Sequence, residues 1–341
     1  MSTRSSCTGY VPGADLYDIP LAGEIEPMLE GRVQTVGADR PKIGQGRSLT
    51  PRWLDDQRVI GTLFVLPAIA ILAFVVVYPF FTAISMSFQD KMVGAPGSFI
   101  GFDNYTELFG DRYFLKTIKN TLVYTGFAVG IKFIIGLAMA LVLTQPRRLD
   151  FIYRTILFVP WAVPTIVAAL SFRWIYDDFS GLLNNFLIGV FGMQDVISWL
   201  GDPDYAMASV VAVVVWSGTP FYTMSFLAGL KAIPNEMYEA ARIDGAKPWQ
   251  EFWYVTIPQM RRVFTVVLML STIWTSTNLV IVQILTNGGP ANFTQILPNL
   301  AYKYALLASR LGIGSAVNMV FFPILAVLIY ILSRRMLAER E

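Results

Sequence analysis

The chain has 341 residues, 55% of them hydrophobic and only 15% charged, against about 25% charged in an ordinary soluble domain. That balance excludes a soluble globular enzyme and points to an integral membrane protein, while a formal net charge of +2 names no partner. With no histidine and a single cysteine, Cys7, a disulfide framework, His/Cys metal clusters and His-based catalytic triads are also excluded.

Residues 1–58 read as a polar cytoplasmic tail, rich in Gly, Pro and both charge signs, without sustained periodicity and so expected to be disordered. Its start lacks the apolar core and cleavage site of a secretory signal peptide. WLDDQRVI (Trp53–Ile60) is a candidate surface helix. The remaining chain, 59–341, reads as one membrane domain. A spanning helix needs about 20 mostly apolar residues, and six segments qualify. They run near Ile60–Phe81 (continuing weakly to Phe88), Asn120–Thr144, Tyr153–Tyr176, Ala206–Leu230, Val263–Leu285 and Ser315–Met336. The fold class is therefore all-α and polytopic, because lipid admits no other open backbone. Prolines 67, 79, 160, 164, 220 and 323 lie inside these segments and are expected to kink them.

Most of the Lys and Arg residues fall in the segments that become cytoplasmic when the N-terminus is placed inside, including Arg147, Arg148, Lys231, Lys247, Arg261, Arg262, Arg334 and Arg335. The loop Asp177–Tyr205 has none. This bias puts both termini in the cytoplasm. Outside, Gln89–Lys119 is aromatic-rich, Ser180–Gly192 reads as a short interfacial helix, and Thr294–Gly312 reads as a surface helix interrupted by Pro298, Lys303 and Arg310.

Within the spans, Lys132 is expected to snorkel, or to pair with a carboxylate or backbone carbonyl. No span carries a central Asp or Glu, which weighs against an ion-coupled carrier or channel. No acid–nucleophile cluster supports a membrane enzyme. Three clusters mix hydroxyls, amides and aromatics: Trp161 and Thr165; Trp216, Ser217, Gly218, Thr219 and Tyr222; and Ser271, Thr272, Trp274, Thr275 and Asn278. Such groups suit a neutral polyhydroxylated ligand, and they equally serve close helix packing.

The longest polar interruption in the second half is EAARIDGAKPWQEFWYVTIP, Glu239–Pro258, within a loop at 236–260. It begins as a helix, and Gly245 and Pro248 then break it into a short helix and a turn. It resembles the EAA loop of binding-protein-dependent ABC importer permeases, with Glu239-Ala240-Ala241, Gly245 and Val255-Thr256-Ile257-Pro258 at the family spacing. Val for Ile and Ile for Leu are the departures. VPWAVPT (Val159–Thr165), LKAIPNEMYEAARIDGA (Leu230–Ala246) and ILTNGGP (Ile284–Pro290) resemble the maltose-type branch. The resemblance runs from about Val59 to Met336.

The resemblance implies a type I importer permease fold in the bacterial cytoplasmic (inner) membrane, forming half of a pore. The other half is a second homologous permease. Two ATP-binding subunits sit below, and an extracytoplasmic solute-binding protein delivers a sugar. It implies that Glu239, Ala240, Ala241, Asp244, Gly245 and Pro258 couple the chain to the ATPase. It also implies that Trp161, Thr165, Ser217, Gly218, Phe221, Ser271, Trp274, Thr275 and Asn278 line the sugar path. No cofactor is expected on this chain. It lacks G-x-x-x-x-G-K-[ST], so ATP and Mg are expected on the ATPase. No metal site and no nucleic-acid partner are expected. The absence of a phosphate clamp favours a neutral sugar.

Overall fold

Helices account for most of the computed structural model, which describes residues 57–145 and 150–337. The predicted disordered tail up to residue 56, and with it the first half of the Trp53–Ile60 helix, lies outside the described residues. The chain divides into two units, Met1–Ala68 and Ile69–Glu341. In the first, the described residues belong to α1 (Gln57–Leu72). All candidate site residues lie in the second.

The second unit continues through a π-helical turn (Ala73–Val77) to α2 (Tyr78–Ser87), a two-residue hairpin of β1 (Gln89–Asp90) and β2 (Ser98–Phe99), and α3 (Asp103–Gly110). Then come α4 (Arg112–Thr144), α5 (Asp150–Ala162), α6 (Thr165–Ile175), α7 (Leu182–Phe191) and α8 (Pro203–Lys231). Short α9 (Asn235–Ile243) and α10 (Pro248–Glu251) precede a second π turn (Phe252–Thr256) and α11 (Ile257–Ser276). The chain then forms α12 (Leu279–Leu285), α13 (Leu297–Tyr302), a third π turn (Lys303–Leu307) and α14 (Leu311–Leu337).

Four helical stretches are long and apolar enough to cross a membrane: Gly61–Ser87, Arg112–Thr144, Pro203–Lys231 and Leu311–Ile331. Two bent pairs qualify jointly. Phe151–Ala162 and Thr165–Ile175 meet at 91°, and Pro248–Ser276 and Leu279–Leu285 meet at 43°. The described residues therefore hold four to six candidate spans.

The predicted elements are recovered in part, and three physical differences stand out. First, α4 starts eight residues before the predicted span. Asp111 caps it by accepting from the Tyr113 amide at 2.8 Å, so its charged first turns are helical although they are not apolar. Second, Tyr153–Tyr176 is broken rather than kinked. Pro164 is the extended N-cap residue of α6, and proline bars the preceding residue from helical geometry. Third, the predicted surface helix at 294–312 is buried in its first half, where Leu297, Asn299 and Ala301 are each almost fully covered, and exposed only further on, at Leu306 and Leu307.

Three buried clusters hold the unit together. Tyr124, Ala128, Val210, Val214, Ile281 and Ile296 join α4, α8 and α12. Ala140, Tyr222, Phe226, Met260 and Phe264 join α4, α8 and α11. In the latter, Phe133, Phe226 and Phe264 form a ring triangle with centroids 5.0–5.3 Å apart. Leu108, Phe114, Leu297, Ile313 and Val317 join α3, the start of α4, α13 and α14. Along α4, between the buried Ala128 of the first cluster and Ala140 of the second, lies a buried residue of a different kind, Lys132.

Candidate functional site

The polar segment builds a hairpin of two short helices. Pro234 starts α9, and the helix ends where Gly245 takes a φ of +83°. The left-handed residue lets the Ala246 amide reach the Ala241 carbonyl at 2.9 Å, closing the last turn. Lys247 then donates its amide to Gln250 Oε1 at 2.8 Å, and Pro248 opens α10. Two contacts tie α9 to the continuous α10–α11 helix. Arg242 Nε and Nη2 donate to the Glu251 carboxylate at 3.0 and 3.3 Å. The Tyr238 and Thr256 hydroxyls lie 3.0 Å apart. The hydrogen bond and charge of Glu251, with the Glu239 charge beyond it, hold the Arg242 guanidinium above its ordinary range.

No residue of α9 is buried. Glu239, Ala240, Asp244 and Gly245 are exposed and Ala241 is half-covered. Large apolar side chains stand out around them: Ile243 is 86% exposed, and Trp249, Trp253 and Tyr254 are all more than half exposed. Pro258 is not at the end of a loop. It sits in the first turn of α11, continuous with the π turn and α10. Through the Arg242 and Tyr238 bonds α9 is tied to a single helical rod reaching Ser276.

The predicted path residues separate into two groups. Trp161 (51% exposed, 5.0 Å from the Phe158 ring) and Thr165 (exposed) straddle the break between α5 and α6. Asn278 occupies the break between α11 and α12, where its Oδ1 accepts from the Ile281 amide at 3.4 Å. The others converge where α8 crosses α11. Phe221 and Trp274 pack edge to face at 5.0 Å, with Trp274 52% exposed. Ser217 turns its hydroxyl back to the Val214 carbonyl at 3.2 Å.

Ser271 and Thr275 are buried, and they face Lys132 rather than an open surface. The lysine Nζ donates to Ser271 Oγ at 3.1 Å and to Thr275 Oγ1 at 2.6 Å. Gly218 makes room for its stem, since a Cβ there would lie 2.7 Å from Lys132 Cδ. Lys132 therefore neither snorkels nor meets a carboxylate or carbonyl. Its Nζ lies 5.8 Å from the ring centroid of Tyr222, a residue of the second predicted cluster, and the lysine is the part of the cluster that sequence reasoning misplaced.

A groove of about 1030 Å³ between α4, α5 and α8 is lined by apolar residues such as Phe127, Ile131, Val211 and Trp216. None of the predicted path residues lines it. Among the described residues no cluster of His, Cys, Asp and Glu could hold a metal ion.

Comparison with known proteins places this geometry in a family. The chain is 33% identical over 276 residues to the sulfoquinovosyl glycerol transport system permease protein SmoG of Agrobacterium fabrum, covering 80% of this chain and 89% of that one. It is 33% identical to the trehalose/maltose transport system permease protein MalF of Thermococcus litoralis, covering 81% and 92%. It is 31% identical to the diacetylchitobiose uptake system permease protein NgcF of Streptomyces coelicolor, covering 86% and 88%. In fold it matches a chain of a crystallised bacterial ABC transporter that imports alginate, with a TM-score of 0.72 at 21% identity over 83% of this chain and 97% of that one. The sequence profile of binding-protein-dependent transport system inner membrane components matches residues 132–340, and the chain belongs to that family.

Proposed function

We propose that this chain is the pore-forming permease subunit of an ATP-driven sugar importer in a bacterial inner membrane. Six spans, with both termini in the cytoplasm, form half of the pore, and a second homologous permease forms the other half. Two ATPase subunits bind ATP and Mg, and a solute-binding protein delivers the glycoside from outside. This chain itself carries no catalytic role and no cofactor. The observation that carries the reading is the exposed α9 helix, polar at Glu239 and Asp244, apolar at Ile243, and bonded through Arg242 and Tyr238 to the base of the α11 rod. Relatives named for sulfoquinovosyl glycerol, trehalose/maltose and diacetylchitobiose support a glycoside as cargo.

In this reading Glu239, Ala240, Ala241, Asp244 and Gly245 sit in a cleft of the ATPase. Closure of the ATPase pair drives α9, and the continuous α10–α11 rod, with Pro258 in the first turn of α11, carries the displacement to Trp274 and Asn278, a two-state lever. Trp161, Thr165, Ser217, Phe221, Trp274 and Asn278 meet the sugar through ring faces and polar groups.

Co-purification tests it. The tagged chain, extracted gently from its native membrane, is expected to bring a P-loop ATPase and a second permease in near-stoichiometric amounts. Recovery of the chain alone in several detergents overturns the reading.

A further inference from the structure

The contact of α4, α8 and α11 holds donors without acceptors. The Lys132 ammonium is 4% exposed and spends two N–H groups on Ser271 Oγ and Thr275 Oγ1. A hydroxyl that accepts in this way still has its own proton to donate. Elsewhere on α11 the hydroxyls donate to the preceding turn: Thr265 to Arg261 O at 2.9 Å, Thr272 to Leu268 O at 2.7 Å, Ser276 to Ile273 O at 3.1 Å and Thr277 to Ile273 O at 2.8 Å. Ser271 and Thr275 make no such bond. The buried Tyr222 hydroxyl has no hydrogen-bond partner of ordinary length, and the Ser271 hydroxyl is directed at it.

No carboxylate balances the charge. Helices α4 and α11 contain none, and α8 has only Asp204 in its first turn, far along the helix from Gly218 and Tyr222. A buried ammonium with two unspent O–H donors beside it, on Thr275 and Tyr222, is complementary to a group that only accepts and carries negative charge. A neutral sugar hydroxyl brings a donor with each acceptor and leaves the ammonium uncompensated. Ionisable groups held at membrane depth mark transport pathways by default, because their insertion is costly.

We propose that Lys132, Tyr222, Ser271 and Thr275 form a subsite for the carboxylate or sulfonate of an acidic glycoside. The Phe221–Trp274 ring pair, which bridges the same two helices, flanks the sugar ring. The proposal rests on the importer reading and replaces the neutral cargo expected from sequence with a charged one. In the present conformation the Lys132 stem packs against Gly218 and the ring pair closes the α8–α11 seam, so the subsite opens when that seam parts.

The test uses the permease–ATPase assembly in nanodiscs, without its solute-binding protein. It is titrated with glucuronate and with glucose at constant ionic strength, and binding is read by tryptophan fluorescence. Glucuronate is expected to bind at least tenfold more tightly than glucose. Lys132→Gln is expected to abolish the preference and Lys132→Arg to retain part of it. A Ser271→Ala/Thr275→Val double variant keeps the lysine and is expected to weaken glucuronate severalfold, which keeps the test available if Lys132→Gln does not assemble. Equal binding of the two sugars by the wild type, or an unchanged preference in these variants, overturns the proposal. Methanesulfonate binding as tightly as glucuronate overturns the glycoside assignment in favour of a simple anion site. Recovery of the ATPase is scored independently, so failure of the importer reading is distinguishable from failure of the subsite.

Discussion

At the scale of single residues, Lys132 shows what a sequence displays and what it conceals. Its burial was marked by a pattern that the snorkelling expectation passed over. Thr121, Thr125, Ala128, Lys132, Gly136 and Ala140 recur along α4 at helical spacing, and all are buried. A stripe of small residues is the face along which membrane helices approach one another, so a lysine within it points inward, not toward lipid headgroups. Its partners were not legible, because Ser271 and Thr275 lie more than a hundred positions away and only the crossing of α4 and α11 brings them together. Gly218 makes that crossing testable. Gly218→Val puts branched carbons where the lysine stem lies, and it is expected to reduce transport at least tenfold while the protein still inserts. Uptake by the assembled system, compared with membrane abundance of the variant, checks this, and normal uptake removes Gly218 from the site. Trp274→Ala leaves Lys132 and its hydroxyls in place but removes one half of the ring pair. It is expected to raise the KM for sugar severalfold with assembly unchanged.

At the scale of elements, the EAA hairpin was nearly complete in the sequence, because glycine and proline punctuate locally. Gly245 was expected at a turn, and it is there with positive φ. The continuity of α10, the π turn and α11 was not legible, since the polar run suggested a loop ending at Pro258. Proline in the first turn of a helix needs no amide donor, so that position does not end the helix. Gly245→Ala is therefore expected to cost roughly 1–2 kcal/mol in the local fold of the hairpin, the penalty of a left-handed L-residue, and to loosen coupling. Glu239→Lys leaves the hairpin's own bonds intact yet reverses an exposed charge. It is expected to leave basal ATP hydrolysis running while abolishing its stimulation by sugar, and retained stimulation removes Glu239 from the coupling surface. A second element answers to pH. Arg310 Nη1 and Nη2 each lie 2.7 Å from the Glu107 carboxylate and tie α3 to the start of α14. The hydrogen bond from Arg310 holds the Glu107 carboxyl below its ordinary value. A depressed carboxylate contributes stability above its unfolded pKa, and that contribution is lost as pH falls through the folded value. Amide exchange in Asp103–Gly110 is expected to rise below about pH 4, the ordinary carboxylate range, and Glu107→Gln is expected to remove that step.

At the scale of the whole molecule, orientation decides whether the coupling hairpin and the proposed path serve one machine. The charge bias that predicts it has a second explanation in the structure. In the 177–205 segment, Asp177 Oδ1 accepts from the Ser180 amide and hydroxyl, both at 2.8 Å, and Asp178 Oδ2 accepts from Ser198 Oγ at 2.9 Å. Asp202 caps α8 by accepting from the Asp204 amide at 2.9 Å. These acids are local fasteners, so their position alone does not measure topology. The basic residues carry the inference, because Lys and Arg near the ends of spans resist translocation and acids contribute little. Lys231, Lys247, Arg261 and Arg262 all flank the α9–α11 region. The prediction is that a cysteine at Gln194, in a Cys7→Ser background, reacts with a membrane-impermeant maleimide in spheroplasts, whereas a cysteine at Lys247 reacts only after permeabilisation. Both positions are exposed, so reactivity reports the side of the membrane and not burial. The reverse pattern would put α9 on the face without ATP. An ATPase could then not reach Glu239, and the lever from α9 along α11 to Trp274 would have nothing to drive it.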